Sequence, residues 1–370
     1  MSPAAPSSRP RRWRILWRVG LVLAGVLLMV VAFRLWRLGL LAEAAPLDDR
    51  LVTQRIELPA PAEDLVLNRI HDVLVLSCGG LLPEGRGRSL AILRAEADVV
   101  EIVQADPPED FHPHGIDLWP LDDGRSRLFV VNHRRHSRPT VEVFDLNLTR
   151  TPPVATHRRT IADTRLSFPN DVAAVSPDAF FVTNNPVQTD LSQRLAIFLG
   201  LAQGELFYFD GDRLHGRAIL RFPNGVVYDP ERQKLYVAET IGGTVACFDA
   251  NRLKRASELP AAQVEVGVGL DNLTLTGDGA ILATRHVNLL ALAAHRRDPP
   301  KNRSGWQALR IEHMEVVKTM EDTGEAISGA SVTHVFGGAG VVGSVGDSYL
   351  LRLTPREPTP PTAFAPAPPP

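Results

Sequence analysis

The sequence predicts an all-β fold, a six-bladed β-propeller that follows an N-terminal transmembrane helix. A polar pair placed directly before an alternating apolar run recurs six times, at intervals of about fifty residues, the spacing of propeller blades. In addition, 30 prolines and 28 glycines separate short runs rich in β-branched and aromatic residues, as expected for many strands joined by tight turns. The six polar starts are Glu63-Asp64, His114-Gly115, Asn170-Asp171, Asn224-Gly225, Asp271-Asn272 and Gly329-Ala330.

Two of these starts are nearly identical in sequence. Residues 168–172 read FPNDV, and residues 222–226 read FPNGV. If each start opens the innermost strand of its blade, the six starts converge on the propeller axis. Glu, Asp, Asn and His side chains that are far apart in the chain are then expected to meet at that axis.

The N-terminal region precedes the repeats and differs from them in character. Five arginines lie ahead of an uninterrupted apolar run over residues 19–33. The flanking residues 15–17 and 35–36 extend this run to the length of a membrane span, with the bordering arginines able to reach the headgroups. The pattern predicts a single transmembrane anchor.

The excess of arginines before the run favours a cytoplasmic N-terminus and a propeller on the extracytoplasmic side. A cleaved signal peptide is the alternative, since residues 42–44 (AEA) resemble a cleavage site. The predicted segments are a basic N-terminal segment (1–14), the transmembrane anchor (15–37), a linker (38–50), the propeller (51–353) and a Pro-rich disordered tail (354–370).

Within the propeller, residues 51–58 are predicted to form a strand that closes the ring with the last blade. Residues 190–202 have helical spacing, with Asp190 able to cap the helix. This helix either packs over a blade edge or forms a hydrophobic flap over a pocket or against lipid. Cys78 and Cys247 lie in apolar strand-like runs and are expected to be buried, free thiols. The formal net charge of -2 gives no indication of a nucleic-acid partner.

The polar starts offer only oxygen ligands, from carboxylates and amide carbonyls. Such a set, without cysteine or a histidine pair at metal spacing, favours Ca²⁺ over Zn²⁺. Since successive side chains of a strand point to opposite sides, adjacent polar pairs suggest two stacked sites. Two carboxylates would balance an upper ion, while three asparagines complete its coordination without added charge. The candidate side-chain ligands are Glu63, Asp64, Asn170, Asp171, Asn224, Asp271 and Asn272.

Two histidines are candidates for proton transfer. His114 opens the second repeat, and His133 follows the apolar strand of the same repeat. A histidine at the axial start of a blade, beside a Lewis-acidic ion, is suited to act as a base for water. His112, His136 and His286 are alternatives for this role.

These motifs together resemble the serum paraoxonase/arylesterase family of six-bladed, calcium-dependent lactonase propellers. The resemblance covers roughly residues 50 to 353, in the same order along the chain. The matching segments are residues 63–65 (EDL), 111–116 (FHPHGI), 130–133 (VVNH), 169–175 (PNDVAAV), 199–202 (LGLA), 224–226 (NGV), 236–239 (YVAE) and 271–273 (DNL).

The resemblance implies a catalytic and a structural Ca²⁺ ion and the hydrolysis of lactones and aryl esters. It also implies His114 and His133 as the histidine pair of the active site. The implied ligands are Glu63, Asn170, Asn224, Asp271 and Asn272 for the catalytic ion, and Asp64, Asp171 and the backbone carbonyl of Ile116 for the structural ion.

The chain departs from the family pattern at three places. The family's disulfide is absent, with Leu351 near where its second cysteine would stand, so ring closure must depend on strand pairing. Arg285 replaces the family's free cysteine beside the site, and residues 185–187 (NPV) replace its aspartate-and-aromatic loop. Substrate preference is therefore not carried over from the family.

The sequence thus predicts a membrane-anchored hydrolase of a small-molecule lactone or ester, in which Ca²⁺ polarises the carbonyl and a water activated by His114, with His133 behind it, attacks. A gluconolactonase-like or strictosidine-synthase-like propeller enzyme is one alternative. A non-catalytic, membrane-tethered binding propeller is another.

Overall fold

A computed structural model describes residues 11–79, 88–186, 190–201, 203–299 and 301–356. Its strands form six antiparallel-based sheets in a ring, so the predicted six-bladed β-propeller is confirmed. Apolar clusters fill the space between neighbouring blades; Phe129 of one blade, for example, contacts Phe180 of the next with their ring centroids 5.2 Å apart. This packing fixes the blades against one another around the axis.

In the first three blades the chain runs outward from the innermost strand. The first blade contains β2 (Ala62–Asn68), β3 (Val73–Cys78), β4 (Ser89–Arg94) and β5 (Glu101–Ile102). The second contains β6 (Gln104–Ala105), β7 (Pro113–Pro120), β8 (Ser126–Asn132), β9 (Thr140–Asn147) and β10 (Val154–Ile161), with β7 innermost. Strand β6, which precedes the inner strand of the second blade, pairs with the outer strand β10. The third contains β11 (Pro169–Ala174), β12 (Phe180–Asn184), β13 (Gly204–Phe209) and β14 (Leu214–Leu220).

The remaining three blades repeat this order. The fourth contains β15 (Pro223–Asp229), β16 (Lys234–Glu239), β17 (Thr244–Asp249) and β18 (Ala262–Glu265). The fifth contains β19 (Leu270–Leu275), β20 (Ile281–His286), β21 (Trp306–Glu312) and β22 (Glu315–Asp322). The sixth contains β23 (Ala330–Phe336), β24 (Ala339–Ser344), β25 (Tyr349–Pro355) and the early strand β1 (Leu51–Glu57).

Strand β1 closes the ring, as predicted. It pairs antiparallel with β25 along its whole length, from Leu51 opposite Pro355 to Glu57 opposite Tyr349. The pairing extends past the predicted propeller boundary at residue 353. Cys78 and Cys247 are free and buried, so the cross-strand hydrogen bonds and the burial of Ile56 hold the chain ends together. Residues 357–370, most of the predicted tail, lie outside the described residues.

Every innermost strand is irregular where the polar pairs occur. The strand pairing shifts register at the start of all six, which places a β-bulge at each axial start. The simple alternation expected from the sequence therefore does not hold there, because a bulge re-aims the side chains of adjacent residues. The shifts lie between Ala62 and Asp64, Pro113 and Ile116, Pro169 and Val172, Pro223 and Val226, Leu270 and Leu273, and Ala330 and Val332.

The N-terminal helix α1 (Arg11–Arg37) contains one stretch, Ile15–Arg37, that is long and apolar enough to cross a membrane by length and composition. Its end contacts two short helices on the propeller, α2 (Leu191–Phe198) and α4 (Leu289–His295); a third, α3 (Ala250–Arg255), follows β17. Arg34 Nε donates to Phe198 O at 2.7 Å, and Leu289 N donates to Leu38 O at 3.0 Å.

Helix α2 lies within the region predicted to be helical, and Asp190 caps it by accepting a hydrogen bond from Gln193 N. The α2 helix itself buries no residue, and Leu191 is 82% exposed. Gln193 and residues 196–198 are half-buried, so one side of α2 contacts its surroundings while Leu191 and Leu195 are exposed. Ala202, the last residue of the predicted helical stretch, lies outside the described residues.

We expect the ring closure to make one face of β1 far more sensitive than the other. Ile56→Ala, at a fully buried position, is expected to lower the free energy of unfolding by about 2–4 kcal/mol because it leaves a cavity. Val52→Ala in the same strand, where the side chain is 45% exposed, is the control and should change it by less than about 0.5 kcal/mol. Urea unfolding of both variants checks this; equal effects would contradict closure through β1.

Candidate metal centre

The bulged starts bring the predicted upper ligands to the axis, where all five are buried. Two of them touch directly, since Asn272 Nδ2 donates to the backbone carbonyl of Glu63 at 3.0 Å and to its Oε1 at 3.2 Å. The hydroxyl of Ser331, on the sixth blade, donates to the same Glu63 carbonyl at 2.7 Å. The first, fifth and sixth blades are thereby joined at this point.

Glycines at two of the starts allow the inner strands to approach closely. A Cβ added to Gly115 would lie 2.5 Å from Asn170 O and from Asp171 Cα. One added to Gly225 would lie 2.6 Å from Asn272 Cα. The glycines that follow His114 and Asn224 are therefore required by the backbone of the neighbouring blade.

Four oxygen atoms at the axis are buried without a hydrogen-bond partner. They are Glu63 Oε2, Asn170 Oδ1, Asn224 Oδ1 and Asn272 Oδ1. A buried polar atom without a partner is costly, by about 1–3 kcal/mol each. All four are acceptors and all four belong to the predicted upper site. A bound Ca²⁺ ion would satisfy them together, so the residues present fit the cation that the sequence predicts.

The fifth upper ligand is held by a histidine. His286 Nε2 lies 2.7 Å from Asp271 Oδ2, and both side chains are buried. The sequence offered His286 only as an alternative base. In the structure its ring orients the carboxylate of Asp271, as outer partners of metal ligands commonly do.

Electrostatics also favour a cation at this end of the axis. Burial, together with the charges of Asp64 and Asp271, raises the pKa of Glu63 well above its usual range. Among the described residues, no Lys or Arg lies within ion-pair distance of these three carboxylates. The described residues contain no group of three His, Cys, Asp or Glu side chains that could hold a metal ion. The asparagine oxygens must therefore contribute to any site here.

The predicted lower ligands have a different environment. Asp64 Oδ2 accepts from Ile116 N at 2.9 Å, and Asp171 Oδ2 accepts from Val226 N at 2.7 Å. Each carboxylate also accepts the backbone N–H of the residue that follows it. Burial raises the pKa of Asp64 to about 7 and that of Asp171 well above its usual range. Free lone pairs remain on both carboxylates for a metal ion.

Asp117 is a third carboxylate of this kind that sequence reasoning missed. Its Oδ2 accepts from Ala174 N on the next blade at 2.7 Å, and its Oδ1 accepts from Leu118 N at 2.8 Å. Burial raises the pKa of Asp117 to about 7. The available signal was an acidic residue inside an apolar strand run, directly after a polar start.

A cavity of about 430 Å³ lies beside these lower carboxylates. Asp64, Asp117 and Asp171 line it together with apolar side chains of the inner strands and with His334. None of the four unpartnered oxygens belongs to its lining. The cavity is therefore separate from the candidate upper site.

The two histidines predicted as a pair, His114 and His133, lie next to each other with their rings stacked. The rings of His114 and His133 lie with their centroids 4.2 Å apart and an interplanar angle of 26°. His133 Nε2 donates to Pro169 O at 2.5 Å, while His114 Nδ1 lies 3.5 Å from the unpartnered Glu63 Oε2. Burial lowers the pKa of His133 to about 4 and that of His114 well below its usual range. Both imidazoles are therefore neutral at pH 7.

The other candidate histidines make different contacts. His112 Nε2 lies 3.0 Å from Gly79 O, where it fixes the turn before β7. The backbone N–H of His136 donates to Asp110 Oδ2 at an exposed position. His114 is the candidate whose ring nitrogen lies 3.5 Å from the unpartnered Glu63 Oε2.

Fold and site together define a six-bladed propeller with an oxygen-rich centre on its axis. The family model described as Arylesterase matches residues 87–350. The chain belongs to the arylesterase family, as its motifs predicted.

Curated relatives agree with this assignment. Serum paraoxonase/arylesterase 2 of Gallus gallus is 29% identical over 243 residues, 64% of this chain and 66% of the relative. Serum paraoxonase/lactonase 3 of Homo sapiens is 26% identical, over 67% of this chain and 70% of the relative. Mechanosensory abnormality protein 6 of Caenorhabditis elegans is 31% identical, over 56% of this chain and 55% of the relative. The chain thus spans just under two thirds of the length of the first of these relatives.

Solved structures show the same fold at low sequence identity. A luciferin-regenerating enzyme superposes with a TM-score of 0.51 and 12% identity, covering 82% of this chain and 95% of that one. A gluconolactonase from Xanthomonas campestris superposes with a TM-score of 0.51 and 17% identity. The superposition covers 85% of this chain and 92% of the gluconolactonase chain. These similarities concern the propeller fold alone.

We expect the close approach at Gly225 to be intolerant of a side chain. Gly225→Ala should lower the free energy of unfolding by about 1–3 kcal/mol, because the new Cβ overlaps the backbone at Asn272. Gly277→Ala, where nothing lies within 4 Å of the added Cβ, is the control and should change it by less than about 0.5 kcal/mol. Thermal or urea unfolding measures both; a tolerated Gly225→Ala would contradict the packing described for the axis.

The buried carboxylates predict an unusual pH dependence in the presence of a chelator. The pKa values of Asp64 and Asp117 rise from 3.8 to about 7 on folding, so the folded state binds their protons more tightly than the unfolded chain. Their contribution to stability is present below about pH 4 and is lost as the pH rises toward 7. Asp117→Asn removes one such group and should flatten this decline by up to about 1.4 kcal/mol per pH unit.

The measurement is chelator-treated urea unfolding at a series of pH values between 4 and 7. Asp122→Asn, at an exposed position in the same blade, is the matched control. If both variants show the wild-type slope, Asp117 is not buried as an acid in the metal-free protein.

Proposed function

We propose that this protein hydrolyses lactones or aryl esters in a calcium-dependent reaction. The observation that carries the proposal is the set of four unpartnered, buried acceptor oxygens beside a neutral His114. Membership of the arylesterase family supports a hydrolase of this substrate class. The printed names of two relatives, which include arylesterase and lactonase, point to the same chemistry.

In this proposal the upper site holds the catalytic ion. A Ca²⁺ ion bound there would contact the carbonyl oxygen of the substrate and stabilise the negative charge that develops on it. Its two carboxylates balance the charge of the ion, and the amide oxygens complete its coordination. The ligands are Glu63, Asn170, Asn224, Asp271 and Asn272.

His114 is the proposed base. Its imidazole is neutral at pH 7 and partly accessible, with its side chain 22% exposed. A water molecule that attacks the carbonyl carbon can pass its proton to this ring. His133 stacks against His114 and is itself held by the carbonyl of Pro169. It therefore positions the base, and its neutral ring avoids a second positive charge beside it.

The lower site is proposed to hold a structural Ca²⁺ ion. Its ligands would be Asp64, Asp171 and the backbone carbonyl of Ile116. Both carboxylates already accept backbone N–H groups from the neighbouring blade. A cation between them would keep them ionised at neutral pH, where burial alone favours protonation.

We also propose that the protein is a single-pass membrane protein with a cytoplasmic N-terminus and an extracytoplasmic propeller. The apolar span of α1 and the arginines before it support this arrangement. The proposed segments are those predicted from the sequence: 1–14, 15–37, 38–50, 51–353 and 354–370.

A non-catalytic, tethered binding propeller is the second candidate. One relative is named for a mechanosensory abnormality and not for an enzymatic activity. The two candidates differ in whether calcium-dependent turnover exists at all, so one assay separates them.

The proposed activity is tested with purified full-length protein in neutral detergent, on phenyl acetate and on aliphatic lactones of graded chain length. Chelation should abolish turnover, and added Ca²⁺ should restore it. Asn224→Ala should lower kcat/KM by about 100-fold or more because it removes a ligand of the proposed catalytic ion. Asn251→Ala, at an exposed position on α3, is the matched control and should match the wild type.

The role of His114 as the base and the assignment of the metal ligands are tested by separate variants. His114→Gln should lower kcat by about 10²- to 10⁴-fold. If it retains wild-type turnover while Asn224→Ala abolishes it, the base is misassigned and the metal site stands. The proposal expects two bound Ca²⁺ ions per chain; a single ion would favour a gluconolactonase-like enzyme. The absence of calcium-dependent hydrolysis on every substrate would leave the binding propeller.

A further inference from the structure

Glu142 is a carboxylate buried inside the second blade that neither candidate metal site uses. It lies in β9, and its side chain has no exposed surface. Its Oε1 accepts from Thr140 Oγ1 at 2.5 Å and from Asn132 Nδ2 at 3.1 Å. Its Oε2 accepts from Thr160 Oγ1 at 2.6 Å and lies 3.0 Å from His157 Nε2. Because a buried carboxylate is stable only when its oxygens are satisfied, these contacts fix the side chain of Glu142.

One of these contacts leads to the histidine pair. Asn132 is the last residue of β8 and directly precedes His133. Its Oδ1 accepts from the backbone N–H of His112 at 2.7 Å, two residues before His114. The backbone N–H of His133 also donates to His112 O at 2.9 Å. Asn132 thus ties together the two chain segments that carry the stacked rings.

The orientation of the Asn132 amide depends on Glu142. A carboxylate only accepts hydrogen bonds, whereas the backbone N–H of His112 only donates. The amide NH₂ of Asn132 must therefore face Glu142, and its carbonyl oxygen must face His112. Without the carboxylate, the amide is free to turn over. Its NH₂ would then face the His112 N–H, and the hydrogen bond that holds this segment would be lost.

Aromatic packing holds the same segment from another side. The ring of His157 contacts Phe144 edge-on, with the centroids 5.2 Å apart. Phe144 in turn contacts Phe111, three residues before His114, with the centroids 5.8 Å apart. The segment that leads to His114 is therefore held both by the hydrogen bond to Asn132 and by packing against Phe144.

We propose that Glu142 is a positioning residue for the histidine pair, and that it acts through Asn132 to hold His114 and His133 in their stacked arrangement. The inference rests on the proposed hydrolytic function, since it concerns the base of that reaction. Glu142 touches neither the candidate ligands of the upper ion nor the rings themselves. Its loss should therefore impair the activation of water and leave the binding of substrate and Ca²⁺ intact.

The first test is the steady-state kinetics of full-length, Ca²⁺-loaded Glu142→Gln on phenyl acetate in neutral detergent. The substitution keeps the size of the side chain but places an NH₂ group among hydrogen-bond donors. It should lower kcat by about 10- to 100-fold, because a small displacement of a reacting group is costly to the chemical step. KM and the number of bound Ca²⁺ ions should not change.

Asp145→Asn is the matched control. Asp145 is a buried acid of the same strand, and its partners are the guanidinium groups of Arg125, Arg127 and Arg158. Its substitution should lower the stability of the blade and leave kcat unchanged. A wild-type kcat in Glu142→Gln, or an equal loss of kcat in both variants, would overturn the proposal.

Asn132→Ala tests the link between Glu142 and the pair. It leaves Glu142 its contacts with Thr140, Thr160 and His157, and it should cause a similar loss of kcat. Combined with Glu142→Gln it should cause no further loss, because the two side chains act along one path. Additive losses would contradict the proposal. If Glu142→Gln does not fold, Asn132→Ala decides the matter, and a wild-type kcat in that variant overturns the proposal.

Histidine NMR separates this inference from the proposed activity. If the wild type hydrolyses no substrate, the ring signals of His114 and His133 are recorded in isotope-labelled protein and assigned with His114→Gln and His133→Gln. Signals that move in Glu142→Gln but not in Asp145→Asn support the positioning role although the hydrolytic function fails. Signals that stay in place in Glu142→Gln, or that move equally in both variants, overturn it.

Discussion

The structure depends on carboxylates buried at the axis that join consecutive blades. Asp64, Asp117 and Asp171 each accept one N–H from their own strand and one from the innermost strand of the next blade. Burying a carboxylate is unfavourable unless it is hydrogen-bonded or paired with a cation. These contacts therefore fix the relative height of the first four inner strands, since a shift of one blade would leave an acid without its partners.

The upper site depends on this alignment. Its oxygens come from four blades and are far apart in sequence, yet four of them lie at the same end of the axis without a partner. The bulges at the strand starts turn them inward, and the close approach at Gly115 and Gly225 brings the strands near enough. The fold thus creates a concentration of acceptors that a cation can satisfy, next to a histidine that burial keeps neutral.

The N-terminal helix ends on the same side of the propeller as this site. It contacts α2 through Arg34 and the start of α4 through Leu38. Helix α2 exposes leucines such as Leu191. The apolar helix α1 therefore ends beside α2 and α4, two helices of the propeller.

The sequence by itself determined the number of blades, the ring closure by the strand at residue 51, the cap at Asp190 and the oxygen-rich character of the axial starts. These follow from local patterns, namely repeat spacing, alternation of apolar residues and residue types at strand starts. The stacking of His114 on His133, the support of Asp271 by His286 and the bridging role of Asp117 were decided only by the tertiary structure. Each depends on contacts between blades or on a bulge that changes the direction of a side chain, and no periodicity within one strand specifies either of these.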